Sequence, residues 1–316
     1  MSRPRQVRLR VPAKINLDLR VVAKRPDGYH ELRTVFQTIS LADVLEVSYT
    51  PGAETTVEVA GNIDIPDNLV GRAARLVLDA LGRRGRVAFR LDKRIPLGAG
   101  LGGGSADAAA VLLALPVLAG GRLEFADLAH LGGQLGSDVP FFLLGGAAVG
   151  LGRGTEFYPL PDGPARYGVL ALPPVHVSTA EAYRALNLPA TPGLTTEAQQ
   201  NKIFSFQSLA CAGSWEEAAN DFEEAVFARH PELARWKRRL LRLGAKPALM
   251  TGSGAALFGL FRTRDEVARA LQSIGEKRAF PIALVSRVRY RSLWRRQLLA
   301  HMNNNQLWPP QSRYVR

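Results

Sequence analysis

The stretch IPLGAGLGGGSADAAAVLLAL, Ile95–Leu115, decides how the chain folds around its site. Five glycines (Gly98, Gly100, Gly102, Gly103 and Gly104) fall within seven residues, and an alanine-rich run follows. Without a Cβ, glycine lets the backbone take left-handed turns and approach other groups closely. The segment RVAFRLDKRIP (86–96) before it reads as a strand, and a helix is expected from about Ser105 to Leu115. A Walker A loop would end in Gly-Lys-Ser/Thr, and none follows. Gly98-x-Gly100-x-x-Gly103 matches the dinucleotide fingerprint in spacing. However, the continuation LAGGRLEFADLAHLGG offers no second parallel strand ending in a ribose-binding acid. Two readings remain open. One is a phosphate cradle, in which successive N–H groups and a helix N-terminus face an anion. The other is a tight turn that packs helix on strand. In the cradle, Ser105 would cap the helix or donate to a phosphate, and Asp107 would sit in the first turn where the dipole favours it.

Upstream, KINLDLRVV (14–22) alternates apolar Ile15, Leu17, Leu19 and Val21 with Lys14, Asn16, Asp18 and Arg20, which puts four polar side chains on one strand face. RPDGYH (25–30) is a turn in which Pro26 fixes φ and Gly28 closes the bend. ELRTVFQTISL and DVLEVSYT resume extended structure, and NLVGRAARLVLDALG is a helix ending at Gly82. EFADLAHLGGQLG is helical up to its glycines. In LGSDVPFF, Pro140 pushes Val139 towards extended geometry, so Asp138 is expected at a bend, either as a turn or cap residue or as a functional acid.

Gly, Pro and Asp cluster at 159–164, the candidate boundary. Beyond it come a strand YGVLALP, helices STAEAYRAL, SWEEAAN and PELARWKRRLLRLG, and two strands around the turn in MTGSGAALFGLF. A helix TRDEVARALQSIG and a last strand PIALVSRV complete the pattern. Strands mixed with helix pairs make each half α+β. The turn Thr251-Gly252-Ser253-Gly254 is either an ordinary reversal or a second backbone wall against phosphates.

The 316 residues, 47% hydrophobic and 22% charged, suit two ordinary globular domains. A single cysteine, Cys211, excludes an internal disulfide framework and fits a reducing compartment. MSRPRQVRLR is basic but no apolar segment follows, so a cytoplasmic location without a membrane partner is expected. Of the formal charge of +13, seven units come from arginines within 287–316, where there is no Asp or Glu. A solvated or partly helical tail accounts for them, and no nucleic-acid partner is expected. HMNNNQLWPPQSRYVR reads as unstructured.

Taken together, VPAKINLDLRVVAKRPDGYHELRTVFQTISLAD, PDNLVGRAA, PLGAGLGGGSADAA, GSDVPFF, NDFE and MTGSGAALFGLF resemble, in order, the GHMP small-molecule kinases over roughly residues 8 to 290. PAKINL, RPDGYHEL and GLGGGSADAA narrow the resemblance to the branch acting on a cytidine-diphosphate-linked methylerythritol in the non-mevalonate isoprenoid route. The resemblance implies an α+β, two-domain GHMP kinase fold. Residues 1–162 would form an N-terminal ATP-binding domain like ribosomal protein S5 domain 2, residues 163–298 a ferredoxin-like C-terminal domain, and residues 299–316 a basic tail. It implies transfer of the ATP γ-phosphoryl group to the substrate's 2-hydroxyl, with Mg²⁺ as cofactor. Lys14 and Asp138 become the catalytic pair. ATP falls to Asn68 near the adenine and to Pro96, Gly98, Gly100, Leu101, Gly102, Gly103, Gly104 and Ser105. The cytidine diphosphate derivative falls to Asn16, Tyr29, His30, Thr179 and Tyr183, with Tyr183 as the second aromatic across the base. The family loop carries Ser-Ser-Asp where this chain has Ser105-Ala106-Asp107, so one hydroxyl near the phosphates is missing and the metal ligands stay unassigned. A kinase of the same family for homoserine, mevalonate or a sugar is the alternative, disfavoured by RPDGYHEL.

Overall fold

The alternating N-terminal segment becomes one arm of a long hairpin. In the computed structural model, which describes residues 4–188, 196–213, 215–275, 277–302 and 308–310, β1 (Arg5–Lys24) runs antiparallel to β2 (His30–Pro51). Their joining turn is built as its residues suggest: Gly28 takes φ +84°, and Asp27 accepts from the Tyr29 N–H at 3.1 Å. β2 is one unbroken strand where the sequence suggested two. Its residues 44–51 pair with β4 (Gly85–Asp92) and its residues 32–37 with β5 (Ala147–Gly152). Two short edge strands, β3 (Thr56–Gly61) and β6 (Glu156–Pro159), complete six strands. β3 is parallel to β4 and the other pairings are antiparallel, so the sheet is not doubly wound.

Helices cover one face of this sheet. α1 (Leu69–Leu81) starts at Asn68, whose side chain accepts from the Val70 N–H, and stops at Gly82 with φ +60°. α2 (Gly103–Leu118) extends beyond the expected helix at both ends, and every residue from Ala106 to Leu118 is buried. Its alanines let β1, α1, α3 (Phe125–Leu135) and α4 (Val139–Leu144) approach from all sides. α3 does not stop at its glycines. A Cβ on Gly132 would lie 3.2 Å from Val139, so the glycine serves close helix packing.

The chain passes to a second, antiparallel sheet of order β10-β7-β9-β8, made of β7 (Tyr167–Ala171), β8 (Ala248–Met250), β9 (Leu257–Phe261) and β10 (Ala279–Ala283). Its helices are α5 (Thr179–Ala185), α6 (Glu197–Ala212), α7 (Phe222–Arg229), α8 (Pro231–Arg242) and α9 (Arg264–Ile274). The expected helix SWEEAAN is not one: residues 215–220 are turn and irregular chain between α6 and α7.

The last expected strand ends early. Ser286 instead caps α10 (Arg287–Leu298), accepting from the Arg289 N–H at 3.2 Å. Tyr290, Trp294 and Leu298, spaced at four, are buried in the core of the first half, although their sequence position had grouped them with the second. Tyr290 Oη donates to the Phe142 carbonyl at 2.6 Å, and Trp294 Nε1 to that of Arg10 at 2.7 Å. Trp308, in the tail read as unstructured, is buried in the same core. The tail stretches 303–307 and 311–316 lie outside the described residues.

A further core joins the halves, with Ala13, Ile15 and Leu17 of β1 packed on Leu170, Leu249 and Phe258 of the second sheet. Among the described residues no helix is long and apolar enough to cross a membrane.

Candidate active site

The glycine segment is a stack of backbone turns. Gly98, Gly100 and Gly102 have φ +67°, +76° and +68°, and Gly102 precedes the first residue of α2. Pro96 leads in from β4, and Leu101 is buried with its carbonyl accepting the Lys14 N–H at 3.0 Å. Close approach is required as well as φ. A Cβ on Gly100 would stand 2.3 Å from the Thr251 carbonyl oxygen, and one on Gly252 3.3 Å from the Gly100 Cα. The two glycine turns therefore interlock backbone to backbone. The N–H groups of Gly103, Gly104 and Ser105 open α2 without intrahelical partners, as the first turn of any helix does. Ser105 does not cap the helix, because Gly102 holds that position. Its Oγ lies 3.8 Å from where a Gly136 Cβ would be, beside Ser137 and Asp138. Asn68 flanks the loop at the start of α1, where Leu69 reaches within 3.7 Å of the Gly104 Cβ position.

Asp107 is not a surface partner of the helix dipole. It is buried, and its Oδ2 meets Lys93 Nζ at 2.8 Å. The same ammonium binds Asp43 at 2.5 Å, and Asp43 Oδ1 accepts the Arg94 and Ile95 N–H groups at 2.6 and 2.8 Å. Burial pushes the Asp107 carboxyl up to about 7 against the pull of Lys93. Burial also works against the Lys93 charge, but Asp107 and Asp43 outweigh it and hold Lys93 above its usual value. This triad pins the chain entering the glycine loop. With Asp107 so committed, the hydroxyl left on the loop is that of Ser105, and the acid across from it in the cavity wall is Asp138. Among the described residues no three His, Cys, Asp or Glu side chains converge. Such a donor set suits a magnesium ion that arrives on nucleotide phosphates with much of its shell still water.

Lys14 and Asp138 meet as expected. Lys14 Nζ is buried, 3.4 Å from Asp138 Oδ2, 2.8 Å from Asn16 Oδ1 and 4.8 Å from the Phe36 ring centre. Burial lowers the Lys14 pKa, and Asp138 opposes the shift. Val139 is helical rather than extended. Pro140 sits in the first turn of α4, where its missing N–H costs nothing, and Asp138 is the residue that starts that helix. Asn16 faces the site but is committed within the protein. Its backbone N–H donates to Thr251 Oγ1 at 3.0 Å, its Oδ1 accepts from the Gly252 N–H at 3.0 Å, and its Nδ2 donates to Thr34 at 2.8 Å.

Across from the loop lies a cavity of about 660 Å³, lined by Tyr29, His30, Asp138, Thr179 and Tyr183 among others. The His30 and Tyr183 rings stack on each other with centres 4.5 Å apart, and Phe222 meets Tyr183 edge-on at 4.8 Å. Tyr29 is half exposed, and the Arg153 guanidinium lies 3.4 Å from its ring centre. Burial, with Lys24 nearby, lowers the His30 pKa and favours a neutral ring. Burial raises the Tyr183 phenol to about 12. Thr179 Oγ1 and Ser253 Oγ share a hydrogen bond of 2.9 Å, so the TGSG turn reaches this cavity too.

Sequence reasoning missed two supports. The Asp43–Lys93–Asp107 triad joins residues 50 and 14 positions apart. In NDFE, Asn220 donates to the Met250 and Gly252 carbonyls, Asp221 accepts from the Val21 N–H, and Glu223 accepts from the Met250 N–H. The motif binds β1 and the TGSG turn together. The resemblance includes NDFE but assigns it no role.

Fold and site together are those of a small-molecule kinase. Residues 68–146 match the GHMP kinases N terminal domain, and residues 206–278 the GHMP kinases C terminal domain. A 4-diphosphocytidyl-2-C-methyl-D-erythritol kinase from Solibacter usitatus (strain Ellin6076) is 62% identical over 315 residues, covering 99% of each chain. One from Geobacillus thermodenitrificans (strain NG80-2) is 41% identical over 84% of this chain and 92% of its own. A crystal structure of a 4-(cytidine 5'-diphospho)-2C-methyl-D-erythritol kinase superposes with TM-score 0.73 at 39% identity, covering 88% of this chain and 98% of that one. The chain belongs to the family of 4-diphosphocytidyl-2-C-methyl-D-erythritol kinases.

Proposed function

We propose that the chain transfers the γ-phosphoryl group of ATP to the 2-hydroxyl of 4-diphosphocytidyl-2-C-methyl-D-erythritol, in the cytoplasm, within the non-mevalonate isoprenoid route. The observation carrying this reading is the Lys14–Asp138 pair, 3.4 Å apart between a glycine cradle and an aromatic-lined cavity. Phosphoryl transfer passes through a loose transition state with charge spread over the phosphoryl oxygens, so the protein's work is positioning and charge.

The geometry supports a role for each residue. Lys14 engages Asp138 through Oδ2, which leaves Oδ1 to accept a hydrogen bond from the substrate hydroxyl. The proton moves to that oxygen late, once the hydroxyl oxygen has begun bonding to phosphorus. The Lys14 ammonium also faces the incoming phosphate. Asn16 acts through Lys14 as a positioning residue. The N–H groups from Gly103 to Ser105 hold phosphates, and Pro96, Gly98, Gly100, Leu101 and Gly102 shape the turn around them. Asn68 spends Oδ1 on its cap and leaves Nδ2 for the adenine edge. Tyr29 and Tyr183 offer faces to cytosine, worth about 1–3 kcal/mol per stacked base, while His30 and Thr179 offer polar edges. Mg²⁺ would sit by the Ser105 hydroxyl and Asp138 carboxylate and supply charge neutralisation on the phosphates.

An ADP-release assay tests the reading with the cytidylyl substrate, its decytidylated analogue, homoserine and mevalonate. Turnover should depend on the cytidylyl group. A rate for the analogue or another alcohol matching that for the full substrate would overturn the assignment.

A further inference from the structure

The β1–β2 hairpin has a cavity on either side. Phe36 lines the aromatic cavity, and its neighbour Gln37 lines a second one of about 920 Å³. On β1, Asn16 bonds Lys14, while Leu17, the next residue, lines the second cavity. Successive side chains of a strand point to opposite faces, so the hairpin stands between the two spaces. The reaction proposed above leaves the second cavity without a use, and its volume suits a small organic molecule. Its floor is the margin of the core that joins the halves, where Leu160, Trp215 and Leu284 are partly buried.

The charged part of this lining is mostly basic. Arg166, Lys246, Arg262 and Arg289 line the cavity, and among the described residues none of their side chains forms an ion pair or a hydrogen bond. Strand register gathers them. Tyr167 pairs with Phe261, so Arg166, just before β7, and Arg262, just after β9, extend neighbouring strands at the same end of the second sheet. The Lys246 N–H donates to the Leu260 carbonyl at 2.8 Å, which places Lys246 at that end too. β10 also finishes there, and Arg289 lies in the first turn of α10, which follows it. Two acids in the lining are already engaged. Asp162 accepts from the Arg287 and Val288 N–H groups at 2.6 and 3.3 Å, and Glu266 from those of Arg262 and Thr263 at 2.9 Å each. Both thus serve the N-terminal ends of α10 and α9, where the helix dipole favours negative charge. Among the described residues of the lining, that leaves Glu216 against four cations.

We propose that the second cavity binds a soluble organic phosphate. Its apolar body lies on Leu160, Trp215 and Leu284, and its phosphate is held by Arg166, Lys246, Arg262 and Arg289. Guanidinium and ammonium groups form charge-assisted hydrogen bonds to phosphate oxygens, and a cleft lined by one sign of charge concentrates the opposite ion. The hairpin separates this site from Lys14 and Asp138, so the proposal stands whatever alcohol is phosphorylated on the other side.

Cys211, the chain's single cysteine, is exposed in the lining and reports on occupancy. Iodoacetamide alkylation of the full chain is timed with hexyl phosphate, hexanol or inorganic phosphate present. Saturating hexyl phosphate should slow alkylation severalfold. Hexanol lacks the charge and inorganic phosphate the apolar body, so each should need at least about tenfold more for half protection. Lys246→Met and Arg262→Met should each raise the half-protecting concentration of hexyl phosphate about tenfold. Both residues are exposed, so their variants keep the fold. Vesicles containing phosphatidic acid should protect no better than vesicles of phosphatidylcholine alone, which separates a soluble ligand from a lipid headgroup. The proposal is overturned by no protection from hexyl phosphate, or by equal protection from hexanol or inorganic phosphate. Variants within about twofold of wild type, or protection by the phosphatidic acid vesicles alone, would overturn it equally.

Discussion

Asp138 and Lys14 both bear on turnover, through different chemistry. Asp138→Asn keeps the shape of the side chain and removes its capacity to take a proton. Turnover should fall by about 10²–10⁴, with the KM for ATP within about twofold of wild type; steady-state kinetics at saturating substrate check this. Lys14→Met should also lose most turnover. Its Tm should change by no more than a few degrees, because the buried ammonium disfavoured by desolvation is removed while Asp138, the partner left behind, stays partly open to solvent. Asp107 predicts a pH effect. Its folded carboxyl titrates near 7, above its unfolded value, so the native state binds the extra proton more tightly. The stability this contributes is complete below the unfolded pKa and is lost as pH rises through about 7. Against an Asp107→Asn reference, denaturant titrations should show wild type losing about 2 kcal/mol between about pH 5.5 and about pH 8. A flat difference would refute the assignment.

At the scale of elements, α10 bears on the acid it never touches. Its Tyr290 hydroxyl satisfies the Phe142 carbonyl of α4, and α4 begins at Asp138. A Cβ on Gly145, the residue that ends α4, would collide with the Tyr290 ring at 2.2 Å, so the two elements are in full contact. Tyr290→Phe orphans a buried carbonyl at a cost of about 1–3 kcal/mol. It should lower kcat severalfold with both KM values unchanged, and thermal melts should fall by a few degrees. A change confined to Tm would separate bracing from catalysis. The elements differ in how far they could be read beforehand. The β1 alternation, the RPDGYH turn and the glycine cluster are local patterns that few other structures satisfy. α10 was obscured because seven arginines in 287–316 drew attention from Tyr290, Trp294 and Leu298 at helical spacing. α6 buries few side chains and shows little apolar periodicity. The Asp43–Lys93–Asp107 triad was invisible because each member reads as an ordinary strand or helix residue until folding brings them together.

Over the whole molecule, the halves are stitched rather than hinged by a lone linker. β1 belongs to the first sheet, yet Leu19 exchanges backbone hydrogen bonds with Ala219 and Asp221, and Asp18 accepts from the Ala219 N–H at 2.8 Å. Asn16 holds the TGSG turn, and a core shared by both sheets lies beneath. Calorimetry should therefore show one unfolding transition with matching calorimetric and van't Hoff enthalpies. Two resolved peaks would mean that the shared core contributes little.

The strap α10 also has a meaning in time. Synthesis proceeds from the N-terminus, so the first sheet must wait for nearly the entire polypeptide to emerge before its helix layer is sealed. A premature stop just ahead of Tyr290 would leave every reactive group in place while stripping away the scaffold that steadies Asp138.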